Sequence, residues 1–267
     1  MRWAHQGGAH EAPSNTLAAM GKTMDEGTAN ALECDVHCSY DDHLVVIHDR
    51  TLWRTTSGCG KVRRHTLAAL RQLDAGYWWV KGNVDDHNAT PAGYEPPTGT
   101  RGLGPKDHAY RIPTLVEVLE KFETVPFTIE IKSWRAARPL IDELHRRKRT
   151  DITVTSFFDP FLWIARWRLR RYRPWAIPLA PAMGFMAWFA LRSLLRVPPK
   201  KTRYARMQIP RRLATERLIA ASRRSGMKVD VWTINDKPTM RDLIEKKVDG
   251  IMTDRPTDLQ EVVDNAT

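Results

Sequence analysis

The residues able to do chemistry fall into three short runs. In Glu33-Cys34-Asp35 the flanks are β-rich, and side chains alternate across a strand, so both carboxylates share one face and Cys34 takes the other. In Ile129-Glu130-Ile131-Lys132 the same alternation turns Glu130 and Lys132 one way and the isoleucines the other. Two strands thus offer three carboxylates to one interior, with no clustered Cys or His beside them. Such an oxygen-rich set suits a hard divalent cation, Mg²⁺ or Ca²⁺, better than Zn²⁺. The competing interpretation is a buried charge pair between Lys132 and one acid, since E-x-D alone recurs by chance.

Imidazoles flank this set. The turn Asp41-Asp42 reads as a hairpin tip, and with Tyr40 opposite His43 the register sets His48 opposite Asp35. The N-terminal run Trp3-Ala4-His5-Gln6-Gly7-Gly8 ends a strand on His5, with glycines that let backbone approach a ligand and Asn15 as the expected cap of the next helix. Histidine titrates near neutrality, so a pair of them can take and give protons there.

The elements that must hold these residues alternate. Strands are expected at Arg2–His5, Ala31–His37, Phe127–Lys132, Thr153–Phe157, Ala176–Leu179, Tyr204–Gln208, Lys228–Ile234 and Asp249–Met252. Helices are expected at Asn15–Glu26, Leu115–Phe122, Ala136–Arg147, Ala182–Leu195, Thr215–Ser225, Lys237–Lys246 and Asp258–Val263. Eight strands with intervening helices predict an α/β fold, a (β/α)8 TIM barrel whose catalytic face lies at the strands' carboxyl ends. The 267 residues fit one domain, 1–267, interrupted after the second strand unit by an insertion at 52–110. The middle of that insertion, Gly82–Asp107, holds five glycines and four prolines and reads as a long loop.

Composition is that of a globular chain, 42% hydrophobic and 27% charged, and a mean hydropathy of −0.47 excludes a polytopic membrane protein. Three cysteines, Cys34, Cys38 and Cys59, with no C-x-x-C pair, argue against a disulfide framework or a thiolate zinc site. No secretory leader is read at the N-terminus, so a cytoplasmic location is expected. The net charge of +11 is uneven: residues 163–224 carry +15, and the rest of the chain −4. Within that segment Trp175–Leu191 is uncharged for 17 residues, but Pro178 and Pro181 leave an apolar helix of about 14, short of the roughly 20 a span needs. Two readings of this segment stay open: a barrel helix packed on the sheet, or peripheral contact of residues 163–224 with an anionic membrane. Arginines interleaved with Trp163, Trp167, Tyr172 and Trp175 do not amount to a nucleic-acid motif, so nucleic-acid binding is disfavoured. The oligomeric state is left open.

Taken in order, His5–Thr16 (H-Q-G-G with E-A-P-S-N-T), Glu33–Val36, Val45–Asp49, Arg54–Gly60, Ile112–Leu119, Ile129–Lys132, Val231–Asn235 and Asp249–Pro256 resemble the glycerophosphodiester phosphodiesterase family over nearly the whole chain. The H-Q-G-G form and the Y-W-W-V at 77–80 look most like an actinobacterial branch. The resemblance implies a phospholipase-C-like barrel, a divalent metal on Glu33, Asp35 and Glu130, and His5 and His48 as general acid and base. It also implies Lys132 on the phosphate, Trp232 in the substrate pocket, and a small-molecule glycerophosphodiester as substrate. Where the family usually has a phosphate-binding arginine, this chain has Gln6, which replaces a charge-assisted contact by a neutral amide. Arg54 is a candidate substitute. Two alternatives follow: a lysophospholipase D-type hydrolase working on lysophospholipids at a membrane surface, or a phosphate-ester-binding barrel with weak catalysis.

Overall fold

The computed structural model describes residues 1–77, 79, 110–172, 177–197 and 201–266. Its centre is a parallel sheet of seven strands: β1 (Arg2–Ala4), β2 (Ala31–Cys38), β4 (Phe127–Ile131), β5 (Ile152–Thr155), β6 (Arg206–Pro210), β7 (Lys228–Trp232) and β8 (Gly250–Thr253). Their spatial order is β5-β4-β2-β1-β8-β7-β6, and β3 (Leu44–Val46) pairs antiparallel on β2. The expected stave at Ala176–Leu179 shrinks to a single bridge, Leu179 beside Val154, and Ala176 lies outside the described residues. That segment nonetheless closes the ring. Val154 N donates to Pro178 O at 2.9 Å, Ala180 N to Val154 O at 3.0 Å, and Ala205 N to Leu179 O at 2.9 Å. Pro178 and Pro181 lack N–H donors, which limits the ladder to that length. The protein is therefore a (β/α)8 barrel with one irregular stave.

Helices α1 (Leu17–Asp25), α3 (Leu115–Lys121), α4 (Ala137–Arg147), α5 (Asp159–Leu169), α6 (Met183–Leu194), α7 (Glu216–Arg224), α8 (Lys237–Glu245) and α9 (Pro256–Asp264) accompany the strands, and the short α2 (Leu67–Leu70) belongs to the insertion. The outward strand residues, among them Leu32, Cys34, Val36, Ile129, Ile131 and Val154, form one buried cluster with the helices. All three cysteines are free. Helix α5 was not expected: its arginines alternate with tryptophans and blur any apolar stripe, and only Leu162 and Ala165 are fully buried. None of the described helices is long and apolar enough to cross a membrane.

Inside the barrel the strands stack polar layers. At the amino-terminal end Arg206 forks onto Asp230, and Trp3 Nε1 donates to the same carboxylate at 3.1 Å. Gly250 is required there, because a Cβ would stand 2.5 Å from Trp3 Nε1. Above this layer Gln208 donates to Thr128 Oγ1 across the barrel at 2.9 Å. The opposite end is open.

Two local expectations are corrected. The β2–β3 hairpin is shifted by one residue: Ser39 faces His43 around the three-residue turn Tyr40-Asp41-Asp42, so Asp35 lies opposite Ile47 and not His48. Asp42 adopts φ 63°, the left-handed residue that such a loop requires, and Ser39 Oγ ties the turn by accepting from His43 N at 2.9 Å. Helix α1 is capped by Thr16, whose hydroxyl accepts from Ala19 N, and not by Asn15. Asn15 instead turns left-handed, at φ 59°, toward the site. Of the insertion, the described part closes over a second small cluster of Val45, Ile47, Leu52, Val62, Leu70 and Ile112. The glycine- and proline-rich Gly82–Asp107 and part of the Y-W-W-V run lie outside the described residues.

Candidate active site

Parallel pairing sets Asp35 beside Glu130, and the pleat brings Glu33 to the same side of β2. The three carboxylates lie within 4.8 Å of one another, all buried. Lys132 follows the end of β4, where its N–H donates to Val36 O at 3.1 Å. Its ammonium reaches Glu130 Oε2 at 2.9 Å and Asp35 Oδ1 at 3.2 Å. Asn15 clamps Asp35 from both sides: its amide donates to Oδ2 at 2.9 Å, and its carbonyl accepts from the Asp35 N–H at 3.2 Å. Gln6, at φ 50°, aims its own N–H at Glu33 Oε2, 2.9 Å away.

The electrostatics of this cluster are unbalanced. Burial, with the Asp35 charge beside it, pushes Glu33 up to about 8, and burial also raises Glu130. Burial works on Asp35 in the same sense, but Lys132 and the two imidazoles outweigh it and hold that carboxyl well below the usual range. Lys132 is desolvated too, yet Asp35 and Glu130 keep it protonated beyond its ordinary value. Beyond burial, three acids crowded on one ammonium resist ionising together, so Glu33 and Glu130 hold their protons more tightly than usual. Three hard oxygen donors on two rigid strands, within reach of one another, fit a divalent cation, which would favour their charged forms.

A histidine stands at each end of the acidic row. His5, in the turn after β1, holds its Nδ1 2.8 Å from Asp254 Oδ1 and its Nε2 3.7 Å from Glu33 Oε2. Asn235 in turn donates to Asp254 Oδ2 at 2.6 Å. Burial lowers the affinity of His5 for a proton, but Asp254 and Glu33 outweigh it and raise its pKa to about 9. His48 is built likewise: Nδ1 lies 2.7 Å from Asp49 Oδ1, and Nε2 lies 3.2 Å from Lys132 Nζ. Each carboxylate accepts from an Nδ1–H, which leaves Nε2 facing the cluster. The backbone carbonyl of His48 takes a 3.1 Å hydrogen bond from His37 Nε2, and burial pushes His37 down to about 4.

These groups line a cavity of about 220 Å³ at the carboxyl ends of the strands. Gln6, Glu33, Glu130, Lys132 and both histidines form one wall, Thr128 and Gln208 extend the polar surface, and Phe157, Trp232, Pro181 and Met186 form an apolar side. Phe157 meets Trp232 edge to face at 5.4 Å. Arg54 is not among the lining residues. It forks onto Asp49 at 2.6 and 2.7 Å, behind His48. Sequence reading did not single out Asp254, Asn235, Phe157 or Gln208. Asp254 had a signal: a closed barrel sets β8 beside β1, and the observed pairing of Ala4 with Thr253 makes Asp254 the neighbour of His5.

An α/β barrel that gathers buried carboxylates, two oriented imidazoles and an ammonium in one cavity has the parts of an enzyme that does acid–base chemistry on an anionic substrate. A model of the glycerophosphoryl diester phosphodiesterase family matches residues 5–258, and the chain belongs to that family. It is 31% identical over 267 residues to a glycerophosphodiester phosphodiesterase of Caldanaerobacter subterraneus subsp. tengcongensis, covering 97% of this chain and 96% of that one. Its fold is similar to a glycerophosphodiester phosphodiesterase from Agrobacterium tumefaciens, with a TM-score of 0.73 at 23% identity over 97% of this chain and 98% of that one. It is also similar to an Oleispira antarctica phosphodiesterase solved with the product sn-glycerol-3-phosphate, with a TM-score of 0.72 at 24% identity over 99% and 96% of the two chains.

Proposed function

We propose that the protein hydrolyses glycerophosphodiesters to an alcohol and glycerol 3-phosphate. The observation that carries this is the row of Glu33, Asp35 and Glu130 with an imidazole at each end and Lys132 against it. A divalent cation, Mg²⁺ or Ca²⁺, held by those three carboxylates would supply positive charge to the phosphate oxygens as negative charge develops on them. Lys132 adds a second fixed positive charge toward the phosphate. His5 and His48 divide the proton work. One Nε2 takes the proton of the attacking oxygen and the other protonates the leaving oxygen. Attack by water gives glycerol 3-phosphate directly, whereas attack by the substrate's own glycerol hydroxyl gives a cyclic phosphate that water then opens to glycerol 3-phosphate. Asp254 and Asp49 hold the two rings in the required tautomer. Gln6 and Trp232 line the substrate's path, and Arg54 acts through Asp49. In this reading residues 1–267 are one domain with 52–110 inserted, and the enzyme works in the cytoplasm.

The apolar wall of Phe157, Trp232, Pro181 and Met186 supports a second reading, in which the alcohol side of the substrate is a lysophospholipid and the 163–224 segment touches an anionic membrane. The test for the primary reading is the release of glycerol 3-phosphate from glycerophosphocholine with Mg²⁺, with Ca²⁺ and with EDTA. Turnover should require one of the metals and vanish in EDTA. Full activity in EDTA overturns the metal assignment, and no turnover with either metal overturns the activity.

A further inference from the structure

Helix α6 is apolar apart from Arg192 and Ser193, yet buried on one side only. At about 100° per residue, Met186, Phe189 and Ser193 share the side packed on the barrel. Met183, Ala187, Trp188, Leu191, Leu194 and Leu195 span an arc of about 140° on the other side. All six are exposed, Leu191 to 54% and Leu194 to 68%. A helix with two apolar faces has a second partner to find, and the rim of this face says which kind. Arg192 lies 5.0 Å over the Trp188 ring. Arg196 follows the helix end, and Arg217 of α7 donates to Leu194 O at 3.4 Å. Arg166 of α5 covers Tyr204 at 4.5 Å, and Tyr204 packs on Phe185 of α6 at 4.7 Å. Arg166, Arg196 and Arg217 have no carboxylate partner among the described residues. The acids at this edge are Asp159, which accepts from Gly184 N, and Glu216 in the first turn of α7.

We infer that this face docks on a membrane of anionic headgroups. The leucines and Trp188 enter the boundary between headgroups and acyl chains, and the arginines meet lipid phosphates. Helix α6 starts at the rim of the catalytic cavity, where Pro181 and Met186 line it, so docking opens the cavity beside the bilayer. This deepens the reading of the site as a phosphodiesterase and rests on it for one consequence only. The favoured substrate is then a glycerophosphodiester that carries one acyl chain and is presented from the membrane.

Docking is measured without turnover, so its failure is separate from that of the catalytic reading. Wild-type protein is sedimented with phosphatidylcholine vesicles with and without phosphatidylglycerol. It should sediment only with the anionic vesicles, and release should follow the fall in Debye length from about 30 Å at 0.01 M salt to about 8 Å at 0.15 M. Leu191→Ser with Leu194→Ser should weaken binding roughly tenfold or more while leaving turnover of soluble glycerophosphocholine unchanged. Arg196→Gln with Arg217→Gln should flatten the salt dependence. If the leucine variant does not fold, the wild-type and arginine measurements still decide. Wild-type protein that ignores anionic vesicles at low salt overturns the inference. So does a wild-type dimer that the leucine variant splits while vesicle binding is unchanged, because the face then belongs to a second copy of the chain.

Discussion

Replacing Asp254 by Asn tests whether His5 works through a fixed tautomer. The substitution keeps the size of a side chain that is 1% exposed and removes one charge. The wild-type carboxylate serves two donors at once, His5 Nδ1 at 2.8 Å and Asn235 Nδ2 at 2.6 Å. An amide has one acceptor oxygen and cannot serve both. If the oxygen stays on Asn235, the NH₂ faces His5 and forces its proton to Nε2, the nitrogen that must exchange protons with substrate. If the oxygen stays on His5, two amide donors face each other in a buried site, at about 1–3 kcal/mol. The first outcome is the cheaper one and disables the ring, so kcat should fall by about 10²–10⁴-fold, the usual worth of a general acid or base. Asp254 does not line the cavity, so KM should stay within about threefold. Steady-state kinetics on glycerophosphocholine, with circular dichroism to verify folding, gives the answer. A folded variant whose kcat stays within about threefold of wild type refutes the assignment of Asp254 and weakens that of His5.

Other outcomes follow from the same geometry. Arg54→Ala should lower kcat by about 10–100-fold through the loosening of Asp49 and His48 and leave KM nearly fixed, whereas a rise in KM alone would make Arg54 a phosphate contact. Gln6→Arg should lower KM by about fivefold to a hundredfold, because Arg54 is occupied on Asp49 and Lys132 is the one lysine or arginine among the described lining residues. An unchanged KM there would show that the missing charge is not felt. Asp230→Ala strands the Arg206 guanidinium and the Trp3 N–H in the barrel floor at about 3–5 kcal/mol, and should lower the melting midpoint by roughly 6–20 °C. A drop of less than about 3 °C would mean that the layer does not hold the barrel end.

The carboxylate row was legible because a strand leaves side chains little choice: with Cys34 outward, Glu33 and Asp35 must point inward, and in-register pairing then aligns Glu130 with Asp35. The barrel was legible from the count and alternation of its elements. The hairpin register was not. Asp41-Asp42 has the composition of a two-residue turn, but the Ser39 hydroxyl, tied to both His43 N and Asp41, and the bond from Leu67 N to Asp41 hold the three-residue loop. His48 still reaches the site because it lies beyond the last rung, Ile47 N on Asp35 O, and takes its direction from Asp49 and His37 instead of the ladder. Asn15 was misread for a related reason. Its cap-forming amide has a better use on Asp35, and Thr16 next to it supplies a hydroxyl that caps α1 as well.

The cap misreading has a further cause. Alternation and capping are local rules, and they fail where a side chain is claimed by a residue distant in sequence. Asn15 is claimed by Asp35 and His5 by Asp254, and each of these contacts ends at the site. Asp254 lies 249 residues from His5. No periodicity links them, but barrel closure does, since the last strand must pair with the first. Long-range partners such as Asp254 and Asn15 are therefore placed badly by local rules, although they orient groups proposed to act in catalysis. The clamp residues Asn15, Asp254 and Asp49 accordingly belong in the same mutational series as the carboxylates and histidines they hold.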